Sequence, residues 1–531
     1  MSACPPEDKP PGRPAPAIRW WEVALIAVAA TLALALGFAN LGKPSLWHDE
    51  AVQVLVARSV AESGRPLLPS GHPHPVAPVF NTILAAFIRL FGDGEAAVRS
   101  PAVLFGAANV ILTFLVFRPL VGRATAVVAA FALALSPWSV AWSREARFYT
   151  SQQTWYLAML AVTWQVAARR GPKALLASTV VSGLIYLLGI GTSLHSVLFV
   201  APLGAYALCM FLHERRIRSR WLVYGLAVAA VGLGTLVVYR LALPQHDAKA
   251  VFESAGLGLR LVDPGKSSRS YYLLWLWRQL GVGFFLLALL GWALLPLFEG
   301  KRGLFAALSF WAPIGALSLL VGYRIHRFAF FVYPAYVAAY AYAAVALVRF
   351  AATGRQSWWR AGVTAAIVVF GARLGVSAYR LTQDSLEVAS GAPITLATRH
   401  PHWREPCLYV RDHLDDDVAV LTTTFLPTLY YVGRVDNWFP STHLFYEAWE
   451  AGIEGLASVE DLEAFMAAHP KGYFVAEWFR FWHFDLLAEE QRGVAEHMTL
   501  LEHASAADVR VYAWGMDAAE SSYSSVKSTR P

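Results

Sequence analysis

Charge is what this sequence has least of. Only 15% of its 531 residues are Asp, Glu, Lys or Arg, against about 25% in a soluble globular chain, which argues against an ordinary cytosolic enzyme. Cysteine is scarce as well: Cys4, Cys209 and Cys407 lie far apart and define no disulfide framework. No glycine period runs along the chain, which excludes a collagen-like fibre, and 56% hydrophobic residues exclude a disordered one. The excess is apolar, with a mean hydropathy of +0.44. The composition is that of a protein that crosses a membrane many times.

The net charge of +7 conceals two different regions. Residues 1–380 hold 34 Lys and Arg against 14 Asp and Glu, a balance of +20, and residues 381–531 hold 10 against 23, a balance of −13. An apolar, basic membrane part is therefore joined near residue 380 to an acidic, aqueous part. Because the basic residues sit in short loops between apolar runs, they read as topology signals, and no nucleic-acid partner is expected.

A membrane helix needs about 20 mainly apolar residues. Such runs fall near 21–41, 101–117, 124–142, 152–168, 174–190, 193–212, 221–243, 272–298, 304–322, 328–348 and 361–379, predicting about eleven transmembrane helices. A Pro-rich tail, residues 1–20, precedes the first, which reads as a retained span. With the N-terminus in the cytoplasm, five basic loops fall inside, as Lys and Arg do: Arg118/Arg123, Arg169/Arg170/Lys173, Arg215 to Arg220, Lys301/Arg302 and Arg349/Arg355/Arg360. This requires that Val76 to Phe91, with Arg89 inside it, lie in the interface as an amphipathic helix. The exterior face then receives residues 42–100, the turn from Ser143 to Ser151, residues 244–271, Tyr323 to Arg327, and everything after 380.

Those exterior segments carry the polar chemistry. Trp47-His48-Asp49-Glu50 follows the first run, and its paired carboxylates suit a general base or a metal. The same residues equally suit a helix start, with Asp49 as cap and Glu50 in the first turn. His72-Pro-His74-Pro is stiff and extended, but lacks the i,i+4 spacing of a helical zinc pair. Arg144, Glu145, Arg147 and Tyr149 cluster at one exterior helix end, where guanidinium groups clamp phosphates or snorkel to headgroups. Arg324, His326 and Arg327 precede an aromatic-rich span, which Pro334 is expected to bend. His195 opens another span in Gly191-Thr-Ser-Leu-His195-Ser.

Taken in order, Trp47-His-Asp-Glu-Ala, His72-Pro-His-Pro, Ala96-Ala-Val-Arg99-Ser-Pro-Ala-Val-Leu-Phe-Gly, Ser136-Pro and Ser143-Arg-Glu-Ala-Arg147-Phe-Tyr149 resemble the GT-C glycosyltransferases of the protein mannosyltransferase and aminoarabinose transferase type. The resemblance covers about residues 20–380 in architecture and about 110 residues in motif. It implies a polytopic enzyme that takes a sugar from a polyprenyl-phosphate carrier and passes it to a lipid, glycan or protein acceptor outside the cytoplasmic membrane. It places Asp49 and Glu50 at the active site, and maps the later Arg of the Arg-Glu-Ala-Arg element onto Arg147 and the basic residue before the Pro-containing span onto Arg327. Metal use varies in the family, so no metal is carried over. His74 stands where the family often has Pro.

The resulting expectation has Asp49 as base, Glu50 orienting it or the sugar, and donor phosphate held by Arg147, Arg327, Arg324 and His326. Trp47, His48, His72, His74, Tyr149 and His195 are expected to line the substrate. Residues 21–380 form the membrane domain, with interfacial helices in 42–100. Residues 381–519 form a small exterior α/β domain with strands at Val418 to Thr422, Tyr473 to Glu477 and Val509 to Ala513, and a capped helix from Ser458. Residues 520–531 form a Ser-rich disordered tail. A transporter or flippase for a lipid-linked or anionic substrate is the competing class, but charges gathered at one face and the lack of an internal repeat disfavour it.

Overall fold

The structure is a computed structural model that describes residues 17–168, 172–214, 219–242, 268–321, 324–353, 400–439, 450–477 and 488–516, with part of 358–379. The tails expected over 1–20 and 520–531 lie largely or wholly outside these residues, as does the exterior loop expected over 244–271 for most of its length. The chain divides into two compact units. One comprises Met1–Ala39, Pro75–Phe80 and Ala102–Leu381, the other Asn40–His74, Asn81–Pro101 and Thr382–Pro531.

The first unit holds α1 (Trp20–Phe38) and the second α2 (His48–Ser63), while α3 (Pro78–Phe91) and α4 (Glu95–Val121) each have residues in both. Then come α5 (Arg123–Ala134), α6 (Pro137–Ser143), α7 (Tyr149–Ala168), α8 (Pro172–Ile190), α9 (Ala201–Glu214), α10 (Ser219–Ala242), α11 (Tyr271–Gln279), α12 (Val282–Glu299), α13 (Lys301–Leu320) and α14 (Tyr333–Thr353). Among the described residues, seven helical segments are long and apolar enough to cross a membrane, or eight if the pair α5 and α6, bent by 57°, is one span. Several differences from the eleven expected runs have local causes. The run 272–298 is two helices parted at Gly281, whose φ of +96° favours glycine. The run 361–379 yields a shorter apolar helix, Thr364–Arg373. Pro334 stands second in α14, after a 3₁₀ turn at His326–Val332, where its missing N–H costs no helical bond, so it opens the helix instead of bending it. At 14 residues α3 is about 21 Å long, too short to span.

Leu226, Leu233, Leu297 and Leu319 are each more than 60% exposed on these helices. In water such a surface would drive aggregation, whereas in a bilayer it meets its own solvent. Close helix approach uses small residues: a Cβ on Gly291 of α12 would run into the backbone of Ala339 in α14. One buried ion pair ties the start of α1 to the end of α4. Glu22, wholly buried, accepts from Arg118 Nε at 3.0 Å and Nη2 at 3.1 Å, with Arg123 at 3.6 Å.

In the second unit a five-stranded sheet is formed by β1 (Ala419–Thr422), β2 (Asn437–Trp438), β3 (Gly472–Glu477), β4 (Thr499–Leu500) and β5 (Val509–Trp514), in the order β2-β1-β3-β5-β4. β1 is parallel to β2 and β3, and β5 is antiparallel to β3 and β4. Strand periodicity sends Val420, Tyr473, Val475, Val509 and Val511 to one face, against Trp403, Cys407 and Val410 of α15 (Arg404–Asp412) with its cap, and Tyr431 and Val432 of α16 (Phe425–Val432). It sends Leu421, Phe474, Ala476 and Tyr512 to the other, against Leu462 of α17 (Val459–Ala468) and Val494 of α18 (Ala488–His497). Burial on both faces explains why these strands read as continuous apolar runs. The capping box expected at Ser458 is present, with Asp461 N donating to Ser458 Oγ at 3.2 Å and Asp461 Oδ2 accepting from Ser458 N at 3.1 Å.

The loop 42–100, expected to belong with the membrane helices, largely groups with the C-terminal residues. The cause is an apolar stripe on α2: Ala51, Val52 and Val56 are buried against Phe425, Leu426, Trp438 and Ala451.

Cys407 lies fully buried in this core, and burial pushes its thiol well above the ordinary range, with a Thr428 hydrogen bond acting weakly the other way. In a Cys4→Ser, Cys209→Ser background, native protein should therefore resist a maleimide at neutral pH and react fully in denaturant. Equal rates in the two conditions would contradict this packing.

Candidate functional site

The second unit presents the Trp47-His-Asp-Glu element at the start of α2. Trp47 occupies the cap position and Asp49 lies inside the first turn, so Asp49 is not the cap. Glu50 reaches back instead, its Oε2 accepting from Trp47 N at 3.4 Å. The two neighbouring carboxylates have different surroundings. Asp49 is half-buried, and Glu50 is wholly buried.

Glu50 is committed to Arg99 of α4, itself wholly buried. Arg99 Nε donates to Oε1 at 2.8 Å and Nη2 to Oε2 at 2.7 Å, the bidentate geometry that a guanidinium alone supplies. Its remaining donors go to carbonyls of the preceding loop: Leu41 at 3.0 Å, Pro44 at 2.8 Å and Ser45 at 3.0 Å. His400 adds Nδ1 at 2.9 Å from Ser45 O and at 3.5 Å from Glu50 Oε2. A second arginine–glutamate pair involves Glu95, one turn before Arg99 on α4. Arg404 Nε donates to Glu95 at 2.6 Å and Nη2 to Gly42 O at 2.6 Å. Tyr431 OH donates to Glu95 at 2.9 Å and accepts from Leu46 N at 2.8 Å. Burial, and then the nearby Glu95, raise the Tyr431 phenol far above its usual range, which keeps it neutral and donating.

Glu50, expected at the reacting centre, is thus paired with Arg99 at the start of α2. Arg99 was visible only as part of the Ala-Val-Arg-Ser-Pro element. Its partner lies 49 residues away, and no local spacing announces it. Gln53, one turn after Glu50, hydrogen-bonds Asn81 of α3 and both are buried. His74 is buried, with its N donating to Pro66 O at 2.7 Å, whereas His72 is exposed and its O accepts from Leu68 N at 2.9 Å. As expected, this Pro-rich segment is extended at Pro73, which forms an antiparallel bridge with Leu67. His48 is half-exposed, with Nε2 at 3.1 Å from Glu450 Oε2.

Within the first unit, two sequence elements almost 200 residues apart meet. Ser136 Oγ and Tyr333 OH are 2.7 Å apart, and the Trp138 and Tyr333 rings lie 4.7 Å apart. His326 stacks on Trp275 at 5.0 Å and sits 6.0 Å from Trp142, which packs edge-on against Tyr149 at 4.6 Å. The Arg147 guanidinium lies over Phe148 at 5.1 Å and Tyr149 at 5.8 Å. Arg147, Tyr149 and His326 thus share one aromatic cluster. His195 is stacked on Phe328 at 4.2 Å, next to the same 3₁₀ turn. Arg324 is buried with Nη2 donating to Ser318 O at 2.7 Å, and Arg327 is half-buried. Arg144 has a structural task, its Nη1 capping α1 through the carbonyls of Leu36 at 3.1 Å, Gly37 at 3.0 Å and Ala39.

The fold is similar to that of solved GT-C membrane proteins. A family model for dolichyl-phosphate-mannose-protein mannosyltransferases matches residues 72–239. The structure is similar to ArnT from Cupriavidus metallidurans in the apo state, with a TM-score of 0.65 and 13% identity over 93% of this chain and 97% of that one. ArnT bound to undecaprenyl phosphate gives the same score and identity over 94% and 98%. The archaeal oligosaccharyltransferase AglB from Archaeoglobus fulgidus, in complex with an inhibitory peptide and a dolichol-phosphate, gives 0.58 and 12% over 87% and 70%. No curated protein matches by sequence.

Removing one member of a buried charge pair costs about 3–5 kcal/mol because the other is left uncompensated. Arg99→Ala should lower the unfolding midpoint of the purified protein accordingly. Arg99→Lys should recover only part, since one ammonium cannot face a carboxylate bidentately and three carbonyls together. An unchanged midpoint in R99A would show that the pair contributes no net stability.

Proposed function

We propose that this protein is a glycosyltransferase that moves a sugar from a polyprenyl-phosphate carrier to an envelope acceptor at the outer face of the cytoplasmic membrane. The observation that carries this reading is the division of labour in the first-loop acidic pair. Glu50 is paired bidentately with Arg99, and Asp49, on the same helical turn, is half-buried. That is what a general base requires.

In the proposed reaction Asp49 takes the proton from the acceptor hydroxyl or amine as its oxygen or nitrogen attacks the anomeric carbon. The bond from that carbon to the carrier phosphate breaks, and the phosphate departs with the electron pair. A single in-line displacement inverts the anomeric centre. Arg147, with Arg324, Arg327 and His326, serves the growing charge on the phosphate. Tyr149, His195, Trp47, His48, His72 and His74 remain substrate-side residues of this proposal. Lipid, glycan and protein acceptors all fit the chemistry, as do hexosyl and pentosyl donors. The proposal puts the active site and the sheet-bearing unit on the extracytoplasmic side, as the basic loops imply, and keeps the eleven-span count of the hydrophobic runs.

Two measurements test it. Full-length protein in nanodiscs is assayed for loss of label from undecaprenyl-phosphate mannose and undecaprenyl-phosphate aminoarabinose. Asp49→Asn should lower turnover by about 10²-fold or more with the unfolding midpoint retained, and turnover equal to wild type would end the assignment. Mass spectrometry of envelope glycans, with and without the protein, should show one glycosyl mass lost. Identical profiles would favour a transporter or flippase.

A further inference from the structure

Two indole N–H groups on one short helix of the first unit have no acceptor among the described residues. Trp138 and Trp142 stand four residues apart on α6, hence on one face of it, and are 1% and 0% exposed. Neither Nε1 has a hydrogen-bond partner. A buried indole N–H usually finds one, as those of Trp438 and Trp514 do in the second unit, donating to Ile453 O at 3.3 Å and to His469 O at 2.7 Å. Leaving such a donor buried and unmet is destabilising, so a pair of them on one helical turn calls for a cause.

Both rings face the same neighbours. Trp138 lies 6.5 Å from the His326 ring and 5.2 Å from that of Phe330, and Trp142 lies 6.0 Å and 6.4 Å from the same two. Trp142 also packs on Tyr149, whose ring has the Arg147 guanidinium at 5.8 Å. His326 and Trp275, stacked 5.0 Å apart, are half-buried, so the cluster reaches the surface through them. The two indoles thus stand beside the histidine and the arginine that the proposed reaction gives to the donor phosphate.

We infer that the Nε1–H groups of Trp138 and Trp142 bind the phosphate oxygens of the polyprenyl-phosphate carrier. This rests on the transferase reading and adds two residues to its donor site. An indole nitrogen donates and never accepts, so its ligand must bring lone pairs. An ionised phosphate ester brings lone pairs alone, and therefore matches a donor-only set of two indoles and a guanidinium. A sugar hydroxyl would bring a proton needing its own acceptor, and the Ser136 and Tyr333 hydroxyls of this cluster are engaged with each other at 2.7 Å. Neutral donors also meet the anion without burying further cations.

The test is equilibrium binding to full-length protein in nanodiscs, with labelled undecaprenyl phosphate as probe and undecaprenol, which has the same chain and no phosphate, beside it. Trp138→Phe and Trp142→Phe keep an aromatic ring and delete the N–H. Each should weaken undecaprenyl phosphate about tenfold, the effect of one hydrogen bond to a charged group, and leave undecaprenol unchanged. Because a smaller ring could loosen the cluster, benzothienylalanine at position 142 replaces only the N–H by sulfur in the same bicyclic frame, and should give the same loss. Trp292 on α12 is the matched control. Its buried Nε1 also lacks a partner, but its ring neighbours are Phe310, Trp311 and Tyr336, with no cation among them, and Trp292→Phe should retain both affinities.

Wild-type affinity for undecaprenyl phosphate in W138F, W142F and the benzothienyl variant would show that the N–H groups rest on neighbouring ring faces, and overturns the inference. An equal loss for undecaprenol, the same loss in W292F, or a wild type that does not distinguish the two lipids overturns it as well. A loss seen with undecaprenyl-phosphate mannose but not with undecaprenyl phosphate would move the N–H groups to the sugar and away from the phosphate. None of these readouts needs turnover. A wild type that binds the phosphate through both indoles but transfers sugar from neither labelled donor would refute the transferase reading and leave the phosphate site standing.

Discussion

One guanidinium organises the polar half of this molecule. Arg99 projects from the first turns of α4 and satisfies a carboxylate and three carbonyls at once. The carbonyls belong to the loop that leaves α1, and the carboxylate belongs to the first turn of α2. Loop path and helix start are therefore fixed by the same group, and the position of Asp49 follows from both. A lysine would offer a point charge with three donors, and no neutral residue would answer the buried Glu50 at all. Arg404 and Glu95 extend the scheme, holding the Gly42 carbonyl and the Tyr431 phenol. The loop between α1 and α2 is thus stapled by two arginine–glutamate pairs, each satisfying backbone groups that a sheet or helix would otherwise have satisfied.

The apolar half follows a different logic. Its helices expose leucine outward and pack inward on tyrosine, tryptophan, alanine and glycine, as at Gly291 against Ala339. With lipid as solvent, no hydrophobic force distinguishes inside from outside, so close approach and aromatic interlocking decide the packing. The cluster of Trp138, Trp142, Trp275, His326 and Tyr333 is the strongest instance. There α5 and α6 bend at Ser136-Pro137 and the chain before α14 turns 3₁₀. Irregular backbone next to apolar helices is tolerated where protein surrounds it, and the aromatic rings provide that enclosure.

The parts legible in the sequence are those whose cause is local. Long apolar runs announced most of the spans, β-rich runs announced β1, β3 and β5, and Ser458 with Asp461 announced a helix start that is present atom for atom. The break at Gly281 was invisible because a lone glycine in an apolar run is tolerated as often as it breaks a helix. Pro334 opens a helix because a 3₁₀ turn precedes it, and no sequence pattern marks that turn. The least legible features are those whose partners lie far along the chain. Glu50 needs Arg99, Ser45 needs His400, and His48 meets Glu450 across about 400 residues. Neither periodicity nor composition encodes such pairs.

The contrast between Asp49 and Glu50 shows why two adjacent carboxylates need not share a task. Consecutive residues on a helix point about 100° apart, so a helix that buries one face buries only one of them. Glu has the longer reach, which lets it return to the backbone N–H of Trp47 and meet Arg99 in the same orientation. Asp is too short to do both. The residue type at each position therefore sorts the pair into one carboxylate held by the scaffold and one presented by it. Exchanging the order of the two would leave Arg99 facing a side chain unable to reach it, with the loop carbonyls of Leu41, Pro44 and Ser45 losing the group that orders them.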